Sequence, residues 1–194
     1  MKKGLIAIIV IGAILLGGFI WVKNTYNQMV VSDENVQAAW SQVENVYQRR
    51  ADLIPQLVNT VKGYANHEKS TLDAVVSART KATQMTVSVD DLSEENIQKF
   101  QEAQGEVGTA IGRLLAITES YPELKANENF SELQAQLEGT ENRIATERMK
   151  FNDAVKAFNT GIRRFPDNIV ASMFGFEKKG YFEAKAGADV APVV

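Results

Sequence analysis

The stretch VQAAWSQVENVYQRRADLIPQLVNTVKGY, residues 36–64, decides how the chain folds. The residues that recur along it at alternating steps of four and three are Val36, Trp40, Val43, Tyr47, Arg50, Ile54, Leu57, Val61 and Tyr64. All but Arg50 are apolar or aromatic, so the spacing predicts a helix with one continuous buried face. Ser32 and Asp33, just upstream, are both candidate N-caps for this helix. An isolated helix cannot bury such a face, so the chain must supply partner helices.

We call such a series of residues, spaced to form one face of a helix, a seam. Two further seams in the sequence predict the partner helices. They comprise Ile97, Phe100, Gln104, Val107, Ile111 and Leu114, and then Phe130, Leu133, Leu137, Ile144, Phe151, Val155, Phe158, Ile162 and Phe165. A shorter amphipathic piece carries Leu72, Val75, Val76, Arg79 and Ala82. Residues 86–92 are a predicted loop, and helices should end at Tyr121-Pro122 and Phe165-Pro166 because proline disfavours the α region in the residue before it. The sequence therefore predicts an all-α fold with an antiparallel bundle of three long helices plus one shorter helix.

Two features inside the seams are costly for a helix. Pro55 cannot donate a backbone hydrogen bond to the Ala51 carbonyl, which predicts a bend in the first helix. Gly105, Gly108 and Gly112 fall within the second seam, where each costs about 1 kcal/mol relative to alanine. We interpret these glycines as positions at which a neighbouring helix of the bundle approaches closely.

Residues 5–22 are an uncharged apolar run that differs from the rest of the chain. As a helix they would span about 27 Å, close to the roughly 30 Å of a bilayer core. A cleaved signal peptide has a similar basic start, but its apolar run is shorter, and here the bulky residues FIWV (19–22) stand where a small-residue cleavage site would lie. The sequence therefore favours an uncleaved transmembrane helix. Its representative anchor residues are Leu5, Ile9, Gly12, Leu16 and Trp21.

The charges that flank this segment predict its orientation. Lys2, Lys3 and the α-amino group lie on the N-terminal side, against Lys23 on the other, so the positive-inside rule keeps the N-terminus in the cytoplasm. The predicted organisation is a tail and anchor over residues 1–22, a helical bundle over 23–185 and a flexible tail over 186–194. The bundle would then lie on the other side of the membrane, outside the cytoplasm. A net charge of −3 and a pI near 5.3 argue against nucleic-acid binding.

The residue counts exclude most kinds of catalytic site. The chain has no cysteine and one histidine, which removes disulfides, thiolate nucleophiles and multi-histidine metal sites. His67-Glu68 lacks the second histidine of a zinc-protease helix, because Thr71 stands four residues on. The sequence contains neither a serine nucleophile elbow nor a phosphate-binding loop. We therefore expect a protein that is not an enzyme and needs no cofactor, with His67 as a capping or surface residue.

Two groups of residues are candidates for an interaction site. A buried Arg50 would need a carboxylate from another helix, and Glu141 and Glu119 are the two candidates. The full group of charged candidates is Arg50, Asp52, Glu119, Glu141 and Arg143. The second group, in an apolar stretch near the C-terminus, is Ile169, Met173, Phe174 and Phe176. That stretch can cap the bundle, touch the membrane or dock on another subunit, and capping is the default expectation.

Ordered motifs also occur at fixed spacings over most of residues 40–176. They are Trp40 with Tyr47 and Arg50, DLIP (52–55), VKGYA (61–65) with HE (67–68), ESYP (119–122), TENRIA (140–145), FN (151–152 and 158–159), FP (165–166) and GF (175–176). In these motifs the chain resembles the LemA family of bacterial single-pass membrane proteins. The resemblance implies a short N-terminal tail, one spanning helix and an antiparallel bundle of long helices. It implies no settled activity, although some relatives look like envelope-stress or membrane-organisation factors and membrane metalloproteases are often encoded nearby.

These observations lead to one expected function and two alternatives. We expect a membrane-anchored, non-catalytic helical scaffold or adaptor of the bacterial envelope that acts through protein–protein interaction or self-assembly. The alternatives are an accessory or regulator of a membrane metalloprotease and a membrane-remodelling homo-oligomer. The expected partners are the lipid bilayer and either further copies of the chain or other envelope membrane proteins, a membrane protease among them, and no nucleic acid.

Overall fold

The computed structural model describes residues 2–65 and 67–183, and over these residues it contains six helices and no strand. They are α1 (Lys2–Lys62), α2 (Lys69–Gln84), α3 (Glu94–Thr118), α4 (Pro122–Lys125), α5 (Glu128–Arg163) and α6 (Asp167–Phe174). The prediction of an all-α chain is confirmed. The seams correspond to α1, α2, α3 and α5, and the short helices α4 and α6 are additional. The predicted flexible tail, residues 186–194, lies outside the described residues.

Helix α1 is a single element of 61 residues that includes both the apolar run and the first seam. It continues without interruption past residue 22 and through Ser32 and Asp33, so the prediction that one of these two residues caps a new helix is wrong. Residues 23–35 contain no proline or glycine that would end a helix. Met29 and Val36, on either side of Ser32, are both buried, and their packing stabilises a continuous helix through this region.

Hydrogen bonds between helices show how the chain folds back on α1. Thr25, just past the apolar run of α1, contacts Asp167, and Tyr64, just beyond the C-terminal end of α1, contacts Asn127, so α5 runs antiparallel to α1. Helix α2 returns along α1 after a turn, and α3 packs against α2. We call residues 25–65 and 67–183 the helical body.

The seams are buried in two hydrophobic clusters inside the helical body. One surrounds Trp40 and includes Phe100, Phe151 and Phe158, while the other surrounds Leu57 and takes residues from α1, α2, α3, α4 and α5. Three seam residues are exposed instead: Tyr64, Val76 and Phe165. Tyr64 and Phe165 lie just after the last residues of α1 and α5, and Val76 follows the buried Val75, which turns inward in its place.

Pro55 lies inside α1, and the structure compensates for the hydrogen bond that it cannot make. The freed carbonyl of Ala51 accepts a hydrogen bond from Arg79 Nε on α2, at 2.8 Å. Arg79 is half-buried, so this carbonyl would otherwise lie against α2 with no donor. The guanidinium group thus replaces the missing backbone N–H and ties α2 to α1.

The glycines of α3 do not have the role that the sequence suggested. A Cβ atom added at Gly105 or Gly112 would meet no atom within 4 Å, and one at Gly108 would meet only Arg50 Nη1, at 3.9 Å. The prediction that a neighbouring helix of the bundle approaches closely at these positions is therefore wrong. The periodicity placed them on the seam helix, but α3 turns them away from its neighbours' backbones.

Candidate interaction sites

Arg50 lies in the second half of α1 with only 3% of its surface exposed. Its Nη1 is 2.9 Å from Glu141 Oε1 on α5, while Nη2 donates to the backbone oxygen and to Oε1 of Gln104 on α3, at 2.9 and 2.7 Å. The guanidinium carbon is also 5.0 Å from the ring centre of Tyr47. We call Tyr47, Arg50, Gln104 and Glu141 the Arg50 cluster. It connects three helices through one buried charge.

The expected ion pair of Arg50 with Glu141 is confirmed, but the other charged candidates do not join it. Arg50 is level with Gln104 of α3, whereas Glu119 lies after the end of that helix and therefore does not reach Arg50. Glu119 pairs instead with Lys125, at 2.6 Å. Asp52 accepts a hydrogen bond from Gln48 on the exposed side of α1. Arg143 is exposed on α5, two residues past Glu141 and therefore on another face of that helix.

The electrostatics of the Arg50 cluster favour neutral Tyr47. Burial raises the pKa of the Tyr47 phenol above its ordinary value of 10, and the nearby positive charges of Arg148 and Arg50 offset only part of this effect. The phenol is therefore protonated at neutral pH and is a poor base or nucleophile. Within the described residues no group of three or more His, Cys, Asp or Glu side chains is placed to hold a metal ion. The lone histidine, His67, is exposed in the turn between α1 and α2.

A second arrangement was not foreseen from the sequence. After α6, residues 175–183 form no helix or strand and lie against α5 and the start of α3, and we call them the strap. Asn159 donates to the Lys179 carbonyl and accepts from its N–H, both at 2.9 Å. Asn152 makes the same two bonds with Phe182, again at 2.9 Å. Each asparagine amide therefore pairs with the strap as a neighbouring peptide group would.

The spacing of these bonds fits the geometry of the two segments. Asn152 and Asn159 are seven residues apart on α5, about 10.5 Å along a helix. Lys179 and Phe182 are three residues apart, about 10 Å in an extended chain. The only signal in the sequence was the repeated pair FN at 151–152 and 158–159, in which the phenylalanine is buried and the asparagine beside it holds the strap.

The strap is also fixed by packing. Phe182 is buried with Trp40, Phe100 and Phe151, and Arg148 lies over its ring at 4.7 Å. Gly180 donates its N–H to the Leu92 carbonyl at 2.8 Å. A Cβ atom on Gly180 would lie 2.5 Å from the Glu94 Cα, so only glycine fits there. The strap therefore completes the core around Trp40.

The apolar candidates near the C-terminus divide into two groups. Phe176 is half-buried against Phe158 and Tyr26, as the capping expectation required. Ile169, Met173 and Phe174 are exposed, because α6 turns Val170 and Ala171 toward the body instead. The membrane-proximal surface is our name for Tyr26, Phe165, Ile169, Met173 and Phe174. Tyr26 and Phe174 connect it to α1, with ring centres 4.7 Å apart.

The anchor candidates lie on the first part of α1. Leu5, Ile9, Gly12 and Leu16 are exposed, as is every residue of the helix from 3 to 20. Trp21 is half-buried and packs against the core around Trp40. Among the described helices, α1 is the one that is long and apolar enough to cross a membrane.

An exposed apolar helix that continues into a compact helical body defines a membrane-associated helical protein. The chain belongs to the LemA family, whose model matches residues 39–194. Magnetosome protein MamQ 2 of Paramagnetospirillum magneticum is 29% identical over 186 residues, 87% of this chain and 68% of the relative. Magnetosome protein MamQ of Magnetospirillum gryphiswaldense is 28% identical with the same coverage. Protein LemA of Metamycoplasma hominis is 24% identical over 158 residues, 81% of this chain and 68% of the relative.

Proposed function

We propose that this protein is a membrane-anchored, non-catalytic helical scaffold or adaptor of the bacterial envelope that acts through protein–protein interaction or self-assembly. One observation carries the proposal: α1 passes from the apolar run into the core without a break. The helix that crosses the membrane is thus the helix that organises the antiparallel bundle of α1, α2, α3 and α5. A body held without a flexible linker has a fixed height and orientation, which a scaffold needs in order to position its partners.

The chemistry of the Arg50 cluster supports the non-catalytic part of the proposal. Arg50 is bonded to Gln104 and Glu141, the Tyr47 phenol is protonated at neutral pH, and the cluster contains no serine, cysteine or histidine. These contacts suit a residue that sets the register of three helices. The relatives named magnetosome proteins are named for a structure rather than for a reaction, which also supports a structural role here.

The proposed location is the inner membrane, with the N-terminus in the cytoplasm and the helical body on the other side. Lys2 and Lys3 precede the apolar run, whereas Lys23 alone follows it closely. Attaching a reporter protein to residue 3 or to residue 183 of the chain in cells tests this arrangement. Activity of a periplasm-dependent reporter at residue 183 and its absence at residue 3 are the expected results, and the reverse pattern would contradict the orientation.

The scaffold proposal is tested by the mass of the full-length protein after chemical crosslinking in cells and gentle detergent extraction. We expect the 21.4 kDa chain in a complex of defined stoichiometry, either with itself or with another envelope protein. Recovery of a membrane metalloprotease in that complex would favour the accessory role. A monomer with no crosslinked partner would contradict the proposal. So would hydrolysis of a peptide or nucleotide that is lost in a folded Arg50→Gln variant and retained in the exposed control Arg143→Gln.

A second candidate function, membrane remodelling by a homo-oligomer, is favoured by the exposed apolar residues of α6. Met173 and Phe174 lie beside the part of α1 that leaves the apolar run, so many copies could engage lipid together. Electron microscopy of vesicles that contain the full-length chain separates the two functions. Large uniform assemblies on deformed vesicles favour remodelling, and small complexes on undeformed vesicles favour the scaffold.

A further inference from the structure

The membrane-proximal surface lies directly beside the end of the apolar run of α1. Thr25 donates a hydrogen bond to Asp167, the first residue of α6, at 3.3 Å. Thr25 follows Val22 by three residues, about 4.5 Å along the helix axis. The headgroup layer on each side of a bilayer is roughly 5–7 Å thick. If residues 5–22 span the bilayer core, α6 starts within the headgroup layer.

The outward face of α6 has the composition of an element that lies in this layer. On α6, Met173 is 67% exposed and Ile169 and Phe174 are about half exposed, while Phe165, in the segment just before the helix, is 79% exposed. The opposite face of the helix is already buried, because Val170 and Ala171 pack into the helical body. A surface of large apolar side chains beside a membrane span, with Tyr26 among them, is typical of contact with the interface.

The charges around this surface complement anionic lipid. Lys23, Arg163, Arg164 and Lys178 are exposed, and none of them forms an ion pair with another residue of the described ranges. Their acidic neighbours are Glu177, which is exposed, Asp167, which is half-buried and accepts the bond from Thr25, and Asp33, Asp90 and Asp91, which line one pocket with Tyr26, Phe174 and Lys178. Asp33 pairs with Lys179, and Asp90 and Asp91 offset the charge of Lys178, so Lys23, Arg163 and Arg164 carry the positive charge that faces the apolar run. Basic residues beside an apolar face favour a bilayer that contains anionic headgroups over a neutral one.

We propose that α6 and the segment joining it to α5 rest in the headgroup layer of the bilayer that α1 spans, held by apolar insertion and by anionic lipid. The inference deepens the proposed function and depends on its membrane anchor. A body seated on lipid as well as tethered to it has its tilt fixed, because α1 and α6 contact the membrane at two separate points.

The test uses single-cysteine variants of the full-length chain, which has no cysteine of its own. Met173→Cys reports on α6, and the matched control is Met149→Cys on α5, where the side chain is 61% exposed. Met149 precedes Ile162 by thirteen residues, about 20 Å along α5, and Ile162 lies beside Thr25. Leu15→Cys reports on the anchor. Each variant carries an environment-sensitive fluorophore and is reconstituted into vesicles of phosphatidylcholine and phosphatidylglycerol with nitroxide lipids.

We expect headgroup-level nitroxides to quench the probe at position 173 at least twofold more than the probe at 149, and deep nitroxides to quench the probe at 15. Arg163→Gln with Arg164→Gln should reduce the quenching at 173, and the control Arg143→Gln should not. Equal quenching at 173 and 149, with position 15 still quenched, would overturn the inference and leave the anchor intact. An unquenched probe at 15 would overturn both. If the probe at 173 is unquenched and two Met173→Cys chains form a disulfide through that position, the surface belongs to a second copy and the lipid contact is overturned.

Discussion

Arg50 Nη1 lies 2.9 Å from Glu141 Oε1, although the two residues are 91 positions apart in the chain. The arginine is almost fully buried, whereas the Glu141 side chain is 50% exposed. The pair is therefore asymmetric: the guanidinium depends on its partners, and the carboxylate retains access to water. Since Gln104 also bonds to Arg50, a single side chain sets the relative positions of α1, α3 and α5.

This asymmetry predicts unequal effects of substitution. Arg50→Ala should lower the free energy of unfolding by about 2–5 kcal/mol, because it leaves a cavity between three helices and two oxygens of Gln104 without their donor. Glu141→Gln should cost about 1 kcal/mol, since Gln104 still bonds to Arg50 and water reaches the carboxamide. Denaturant melts of the full-length chain in detergent measure both values. The exposed control Arg143→Gln should change stability by less than about 0.5 kcal/mol. Equal losses at Arg50 and Arg143 would show that the cluster is not structural.

The bond between Arg79 and the Ala51 carbonyl predicts coupling between Arg79 and Pro55. Arg79→Met should destabilise the chain by about 1–3 kcal/mol, since it leaves a carbonyl without a donor. In a Pro55→Ala background the alanine N–H can supply that donor, so the same substitution should cost less. A double-mutant cycle on thermal melts measures the difference. Lys81→Met, which removes an exposed ion pair on the same helix, serves as the control, and its cost should be the same in both backgrounds. Additive effects of Arg79 and Pro55 would refute the compensation.

The hydrogen bonds of the strap predict that Asn152 and Asn159 contribute to the free energy of unfolding, whereas Asn142, on the same helix, does not. Asn152→Ala and Asn159→Ala should each cost about 1–3 kcal/mol, because each leaves a strap N–H and carbonyl without partners. Both should also speed amide hydrogen exchange at Lys179 and Phe182. Asn142 is exposed on the same helix, so Asn142→Ala should leave stability and exchange unchanged. Slow exchange at positions 179 and 182 in both variants would mean that packing of Phe182 alone holds the strap.

Two glycine substitutions should change stability in opposite directions. Gly105→Ala should stabilise the chain by about 0.5–1 kcal/mol, because the added methyl group meets open space in a helix interior. Gly180→Ala should destabilise it, because its Cβ would overlap the backbone of Glu94. Thermal melts of both variants at one pH provide the comparison. A destabilised Gly105→Ala would indicate that another chain approaches α3 closely at that position.

Periodicity was sufficient to predict the buried faces of α1, α2, α3 and α5, because burial in a helix repeats with the helical turn, but it did not predict the short helices α4 and α6. The seam residues Val36, Trp40 and Val43 are buried as expected. Because a buried charge needs a partner of opposite charge, Glu141 was one of two predicted partners of Arg50, and the structure confirms this pair. Glu119 was an equal candidate because a sequence does not give the relative heights of α3 and α5. Only the packed structure shows which carboxylate is level with Arg50.

The remaining differences arise where local signals compete with packing or have no period. Ser32 and Asp33 are good capping residues, but burial of Met29 and Val36 keeps α1 helical through them. The strap could not be predicted by periodicity, because its backbone bonds go to asparagine side chains rather than to a neighbouring strand. The exposed α6 residues fitted three interpretations, because periodicity does not show that Asp167, the first residue of α6, contacts Thr25 beside the apolar run.

The central claim is that one rigid helix connects the membrane to the helical body. The most direct test is a spin-label distance between Leu15→Cys and Val31→Cys, both exposed on α1, in the full-length chain in lipid nanodiscs. Val31 follows Leu15 by sixteen positions, so a continuous helix predicts a single narrow distribution that corresponds to a backbone separation of about 24 Å. A broad or multiple distribution, or a main distance well short of this value, would show a hinge between anchor and body and contradict the account.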